Sequence, residues 1–175
     1  MNNQSFIREC ILARRSVRDF LPEEIPEEHL NLMLEAMRWA PSAGNLQPWR
    51  FYVIKDIEKK RELARAAFGQ DFVADAPIAI VVCAVPEESS WRYGKRGSEL
   101  YCIQDTACAV MNLMLSATAL GYGSVWVGAF DEKEVSRVLS APASERPVAI
   151  VPIGKPRSVE EKTNRKSLSQ IVRWV

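Results

Sequence analysis

The chain has 175 residues, 47% of them hydrophobic, which suits one folded core and argues against a disordered chain. Its 23 basic and 22 acidic residues leave a net charge of +1, so no global attraction to nucleic acid or an acidic membrane is expected and any basic function must be local. The only histidine is His29, and Cys10, Cys83, Cys102 and Cys108 show no CxxC or metal-like spacing, which leaves little room for a zinc site or a Ser-His-Asp triad.

The N-terminal MNNQSFIREC lacks a charged stretch followed by an apolar run, so no leader peptide is expected. Residues 5–14, SFIRECILAR, space Phe6, Ile7, Cys10 and Ile11 on one helical face. SVRDF then reads as extended and LPEEIP as a turn. Pro26, followed by Glu27 and Glu28, opens a second helix, with acids at its positive end. Its apolar face holds Leu30, Met33, Leu34 and Met37, and it ends near Ala40-Pro41. His29, at the start of this helix, is expected to play a plain surface role.

The loop APSAGNLQPWR (40–50) is polar with few charges, ordered by two prolines and closed by a tryptophan. FYVIK is a strand, and EKKRELARAAFG a helix closed by Gly69. PIAIVVCAV (77–85) reads as a strand buried on both faces. PEESSWRYGKRG (86–97) is predicted to be a flexible loop carrying Trp91 and Tyr93. From Ser98 to about Leu120 runs a long helix, apolar almost all round after Thr106 and stopped by Gly121 and Gly123; it should be central and buried. Gln104, Asp105 and Asn112 interrupt it, so it is not read as a membrane span, and Asp105 is expected to cap or orient a neighbour.

SVWVGAF (124–130) reads as a strand. DEKEVSRVL reads as a helix with a box-like start at Asp131 and Glu134, and PVAIVPIG (147–154) as the last strand. A polar, basic tail with an apolar end follows. Without repeats or a linker, residues 1–175 form one domain, an α+β sheet packed by helices. Each cysteine falls in an apolar stretch and is expected to be buried and reduced, which fits a cytoplasmic setting.

Three stretches have the residue types for chemistry. In ARRSVRD, Arg14, Arg15 and Arg18 surround Ser16 where a helix gives way to a strand, and arginine forks suit phosphate or carboxylate. The same cluster also reads as a solvated helix end or a nucleic-acid patch. In NRKS, Arg165 and Lys166 are weak alone, but two distant basic groups on a near-neutral chain have the means to converge on one phosphate. At the end of VWVGAFD, the small Gly128 and Ala129 leave backbone N–H groups open to a ligand, or else serve packing. No GxGxxG or GxxxxGK[ST] stretch is present, which argues against a Rossmann or P-loop nucleotide site.

RRSVRDF, APSAGNLQPW, the long IQDTACAVMNLMLSATALGYGSVWVGAF and the closing PIGKP…NRKSLSQIV resemble, in order and over nearly the whole chain, the FMN-dependent nitroreductase-like flavoproteins. The resemblance implies a nitroreductase-like α+β fold: a central, mostly antiparallel sheet flanked by helices with a long central helix, forming a homodimer with FMN at the subunit interface. By position, Arg14, Arg15, Ser16 and Arg18 would hold the FMN phosphate, ribityl chain and pyrimidine edge, with Arg165 and Lys166 completing the phosphate site. Pro41, Ser42, Ala43 and Asn45 would reach the isoalloxazine from the other subunit. Gln70 would contact the ring, and Gly128 and Ala129 would set N–H groups near flavin N5 and O4. Where some members carry a glutamate beside the ring, this chain has Gly128.

The implied activity is ping-pong oxidoreduction: NADH or NADPH reduces FMN, and a nitroaromatic, quinone or flavin takes the electrons. Trp91 and Tyr93 line the substrate side or serve as surface anchors, and Ile171 to Val175 are expected to pack on the partner. Alternatives are a specialised branch of the family (dehalogenase, flavin-processing or enoyl-type reductase) or a non-catalytic FMN carrier. Nucleic-acid and membrane partners are not expected.

Overall fold

In the computed structural model, which describes residues 7–158 and 161–175, the apolar run around position 80 becomes the hub of the molecule. Strand β2 (Ile78–Ala84) is buried at every residue. Successive side chains of a strand point to opposite faces, so Ile78, Ile80 and Val82 enter one core while Ala79, Val81 and Cys83 enter another. Strands β1 (Trp49–Ile54) and β4 (Arg146–Gly154) flank β2, and the two-residue β3 (Gly123–Ser124) pairs with β4. The order is β1-β2-β4-β3, with every pair antiparallel.

Helices cover both faces. On one side lie α1 (Glu27–Arg38) and the long α5 (Cys102–Ala119), which bury Leu30, Met33, Met37, Ala109, Val110, Leu113 and Ala117 against the sheet. Asn112 on α5 donates to the Ala36 carbonyl at 2.9 Å, which fixes the two helices against each other. On the other side lie α2 (Ile57–Ala66), the short α3 (Phe72–Asp75) and α6 (Glu132–Leu139). α6 is capped at its start by Asp131, whose side chain accepts from the N–H groups of Lys133 and Glu134. Glu134 does not close a reciprocal box; it pairs with Arg137. The last helix is the four-residue α7 (Leu168–Ile171).

Several expectations are corrected. Residues 86–97 are not a flexible loop: Pro86–Arg96 is helix α4, with proline in its first turn, continued by a π-helical turn at Gly97–Tyr101 into α5. Gly94 (φ 55°, ψ −141°) adopts a backbone state essentially closed to other residues and bends the helix. A Cβ on Gly97 would run into the Ser89 carbonyl, so the two arms of the bend lie backbone to backbone. SVWVGAF is a strand only at Ser124, with one further bridge, Val127 to Ile150. On its other side the Ser124 carbonyl accepts from Val17 N–H at 3.0 Å, so residues 123–124 lie between β4 and the N-terminal segment.

Near the N-terminus, Ile7–Ile11 forms a π-helical turn in which Cys10 alone is buried, while Ile7 and Ile11 are about half exposed. Phe6 lies outside the described residues. α5 buries one face. Its outer face carries Met111 and an exposed Cys108, so only three of the four cysteines are in the core. His29 is half-buried, its Nδ1 2.8 Å from the Tyr122 hydroxyl, so it is tied to the fold rather than free on the surface.

Candidate functional site

The arginine cluster follows the first helical turn, and its place is fixed by what comes after it. Ser16 bridges Ser124, and Gly123 has no side chain because Val17 fills that space; a Cβ there would stand 2.7 Å from the Val17 side chain. Phe20 bridges Pro156, Arg157 N–H donates to the Asp19 carbonyl at 3.0 Å, and the Arg157 guanidinium donates to the Asp19 carboxylate. These bonds tie residues 16–21 to the start of the C-terminal tail. The result is a cleft of about 440 Å³ lined by Arg14, Arg15, Lys162, Thr163 and Arg165 over an apolar floor of Ile11, Leu12, Met111 and Leu115. The two basic stretches, 150 residues apart in sequence, therefore meet.

Within this cleft Arg15 donates from Nη1 to the carbonyls of Leu12, Ala13 and Arg14, closing the end of the N-terminal turn, while its Nε is buried without a partner. Arg165 donates to the Thr163 carbonyl and hydroxyl and to the Asn164 carbonyl. No carboxylate pairs with Arg14, Arg15 or Arg165 among the described residues, so their positive charge remains available to an anion. Ser16, Arg18 and Lys166 do not line the cleft; Arg18 lies over the Phe72 ring at 5.9 Å. Lys162 was not anticipated, since nothing in its local sequence distinguishes it from other lysines of the tail.

The loop at 41–49 is built differently. Ser42 Oγ accepts from Gln47 N–H at 3.0 Å, the Ser42 carbonyl from Asn45 N–H at 2.9 Å, and Gln47 Nε2 donates back to Asn45. Gly44, Asn45 and Gln47 all have positive φ, so the turn is tight, and buried Trp49 anchors it. Ala43 N–H donates to Asp105 Oδ1 at 3.1 Å, the orienting role expected of this aspartate. Asp105 is only 6% exposed, and its Oδ2 has no partner. Burial pushes its pKa above the ordinary carboxylate value, and the Ala43 N–H opposes this. Against Gly44 lie α4 side chains: a Cβ there would meet Tyr93 Oη at 2.5 Å and Arg92 Nη1 at 2.9 Å. Trp91, by contrast, is 83% exposed.

A third strip is Gly128-Ala129. Both residues are exposed, and a Cβ on Gly128 would meet nothing closer than Trp126 Nε1 at 3.6 Å, so packing does not require the glycine. Gln70 Nε2 donates to the carbonyls of Ala67 (2.9 Å) and Ala129 (3.1 Å), and Asp131 N–H to Ala66, clamping the strip to the end of α2. Gln70 and Ala129, far apart in sequence, are thus brought together.

The arginine cleft borders Met111 and Leu115 on α5, and the 41–49 loop is held at Asp105, ten residues or about 15 Å along the same helix. Among the described residues, none of the 41–49 loop lines the arginine cleft.

The Nitroreductase family model matches residues 11–70 and 65–155. The chain belongs to the Nitroreductase family. It is 35% identical over 163 residues to a protein of Archaeoglobus fulgidus provisionally named NADH dehydrogenase/NAD(P)H nitroreductase, covering 89% of this chain and 90% of that one. It is 25% identical over 170 residues to the FMN reductase (NADPH) of Bacillus subtilis, covering 90% and 68%. Among solved structures, nitroreductase A of Vibrio parahaemolyticus superposes with a TM-score of 0.89 at 27% identity, covering 99% of this chain and 76% of that one. The α+β nitroreductase fold and its antiparallel sheet follow from these likenesses.

Proposed function

We propose that this nitroreductase-family chain is an FMN-dependent oxidoreductase. It takes reducing equivalents from NADH or NADPH and passes them, in a second half-reaction at the same pocket, to a nitroaromatic, quinone, flavin or similar acceptor. The observation that carries the reading is the cleft in which Arg14, Arg15, Lys162 and Arg165 converge over apolar side chains. Unpaired guanidinium forks suit a phosphate, and the orphaned Arg15 Nε is a donor awaiting an acceptor. The apolar floor suits the rest of an amphipathic cofactor. The residues present therefore fit FMN.

Bound FMN would supply hydride acceptance and release, so no side chain has to act as nucleophile or base. The chain's own groups bind and orient. Arg14, Arg15 and Arg165, with Lys162, would neutralise the phosphate, while Ser16, Arg18 and Lys166 lie outside the cleft. Gly128 and Ala129 present backbone N–H groups to the ring edge, where a donor stabilises the reduced state. Gln70 holds that strip in place. The loop of Pro41, Ser42, Ala43 and Asn45 presents a slim backbone to a flat ring.

Its distance from the arginines along α5 favours service to the cofactor of a second copy. The half-exposed Ile7 and the exposed Trp174, neither of them part of the cleft floor, offer apolar surface to such a homodimer. Four free cysteines suit a reducing compartment such as the cytoplasm. Among the described residues no helix is long and apolar enough to cross a membrane.

The test is direct. The purified protein should be yellow, release FMN on denaturation, and bleach anaerobically with NADH or NADPH. A colourless protein that fails to take up FMN would refute the reading, and a flavin that neither dinucleotide bleaches would leave only a carrier.

A further inference from the structure

The bent hairpin of residues 86–101 carries a side-chain cluster that the flavin reading does not use. Arg92 lies over the Tyr93 ring at 5.6 Å and Arg96 over the Tyr101 ring at 5.3 Å. The two rings meet edge to face at 5.2 Å, and Arg96 Nε donates to the Tyr101 hydroxyl at 2.9 Å. The result is a row of cation, ring, ring, cation. Of the hairpin's acids, Glu88 pairs with Arg50 at 2.5 Å and Glu99 with Lys95 at 3.7 Å, while Glu87 is exposed and forms no ion pair among the described residues. Among the described residues neither Arg92 nor Arg96 has a carboxylate partner.

The row is well placed. Gly94 bends the helix, and Gly97 lets the second arm lie against the Ser89 backbone. Tyr93 and Arg92 press on Gly44, within the loop assigned above to the flavin ring.

Deepening the flavin reading and resting on it, we propose that Arg92 and Arg96, with Tyr93 and Tyr101 between them, recognise the negatively charged end of an aromatic ligand on the substrate side of the flavin. The ring edges and faces offer stacking to a flat ligand. Two guanidinium forks with no acid partner offer paired donors to a phosphate or carboxylate. Two sources supply that chemistry: the ribose phosphate of a dinucleotide donor, or a carboxylate on the acceptor.

The experiment compares Arg92→Gln and Arg96→Gln with Lys95→Gln, whose lysine pairs with Glu99, in two arms. One arm measures kcat/KM for NADPH against NADH, the other for 4-nitrobenzoate against nitrobenzene. Calorimetric binding of NADP+ and of 4-nitrobenzoate, and the flavin content of each protein, accompany both. Each arginine variant should lose about five- to twentyfold for the anionic member of one pair, with its counterpart within about twofold. Lys95→Gln should behave as the wild type. Selective loss with NADPH assigns the dinucleotide phosphate, and selective loss with 4-nitrobenzoate assigns the acceptor carboxylate. Wild-type selectivity in both arms, with unchanged calorimetric affinities, overturns the proposal. A wild-type protein without flavin defeats the flavin reading instead, and calorimetry then still decides whether the arginines bind the anion.

Discussion

Replacing Asp105 by alanine removes the acceptor that holds Ala43 N–H, and replacing it by asparagine keeps one. In Asp105→Ala the N–H loses its 3.1 Å partner at a half-buried position. Stranding a buried donor costs about 1–3 kcal/mol, and a half-buried one the lower part of that range, about 1–2 kcal/mol. For a chain of this size each kcal/mol lowers Tm by about 2–4 °C, so Asp105→Ala should melt about 2–8 °C below the wild type. Asp105→Asn keeps an oxygen for Ala43 and removes a carboxylate whose Oδ2 has no partner, so it should melt within about 2 °C of the wild type at neutral pH.

The pH dependence has a definite sign. Burial raises the folded-state pKa of Asp105 above its unfolded value. The folded chain therefore binds the extra proton, and the stability this contributes is present at low pH and lost as pH rises through the folded pKa. Asp105→Asn has no such loss, so its stability relative to the wild type should improve as pH rises through that window and then level off. Scanning calorimetry on the three proteins between about pH 4 and 8 reads both effects. Equal melting of the alanine and asparagine variants, or a relative stability of Asp105→Asn that declines with pH, would refute the reasoning.

Arg165→Gln should release FMN, with a Kd raised about 10- to 100-fold and little change in Tm of the apo protein, since Arg165 bonds only to exposed groups of its own tail; fluorescence titration with FMN reads the change. Arg15→Ala should weaken FMN binding similarly and also loosen the N-terminal turn, whose carbonyls Arg15 closes, visible as faster amide exchange at residues 7–15. Gly97→Ala places a Cβ 2.7 Å from the Ser89 carbonyl carbon and should cost about 1–3 kcal/mol, read by urea unfolding. Gly128→Ala meets only ordinary contact at 3.6 Å and should leave stability within about 0.5 kcal/mol, so any shift it makes in flavin reduction potential reports on the ring edge rather than on folding.

How much of this was legible in the sequence depends on where the information resides. β2 and β4 were plain, because a buried strand must be an unbroken apolar run, and the face of α1 was plain from its 3.6-residue spacing. The 86–97 segment was misread because its glycines and charges are loop-like in composition, while its order comes from the Gly97–Ser89 backbone approach and the Gly94 bend, which no local pattern records. The 124–130 stretch has the alternation of a strand, yet the Ser124 carbonyl bonds to Val17, over a hundred residues away in sequence. Arg14, Arg15 and Arg165 were visible as basic clusters. Lys162 joined them only once the chain ends were folded together, and Arg92 was overlooked between the two aromatics that drew attention.

The long helix α5 has a further consequence. Asp105 at one end grips the polar loop, and Met111 and Leu115 at the other floor the arginine cleft. A single helix thus spaces the loop and the arginine cleft, and the spacing is angular as well as linear. One residue inserted between Asp105 and Met111 would turn the far end by about 100° and swing the cleft floor off its face, whereas four would nearly restore the phase but lengthen the rod by about 6 Å. The phase of this segment is therefore constrained twice, by the loop and cleft it spaces and by the core residues Ala109, Val110 and Leu113 on its inner face.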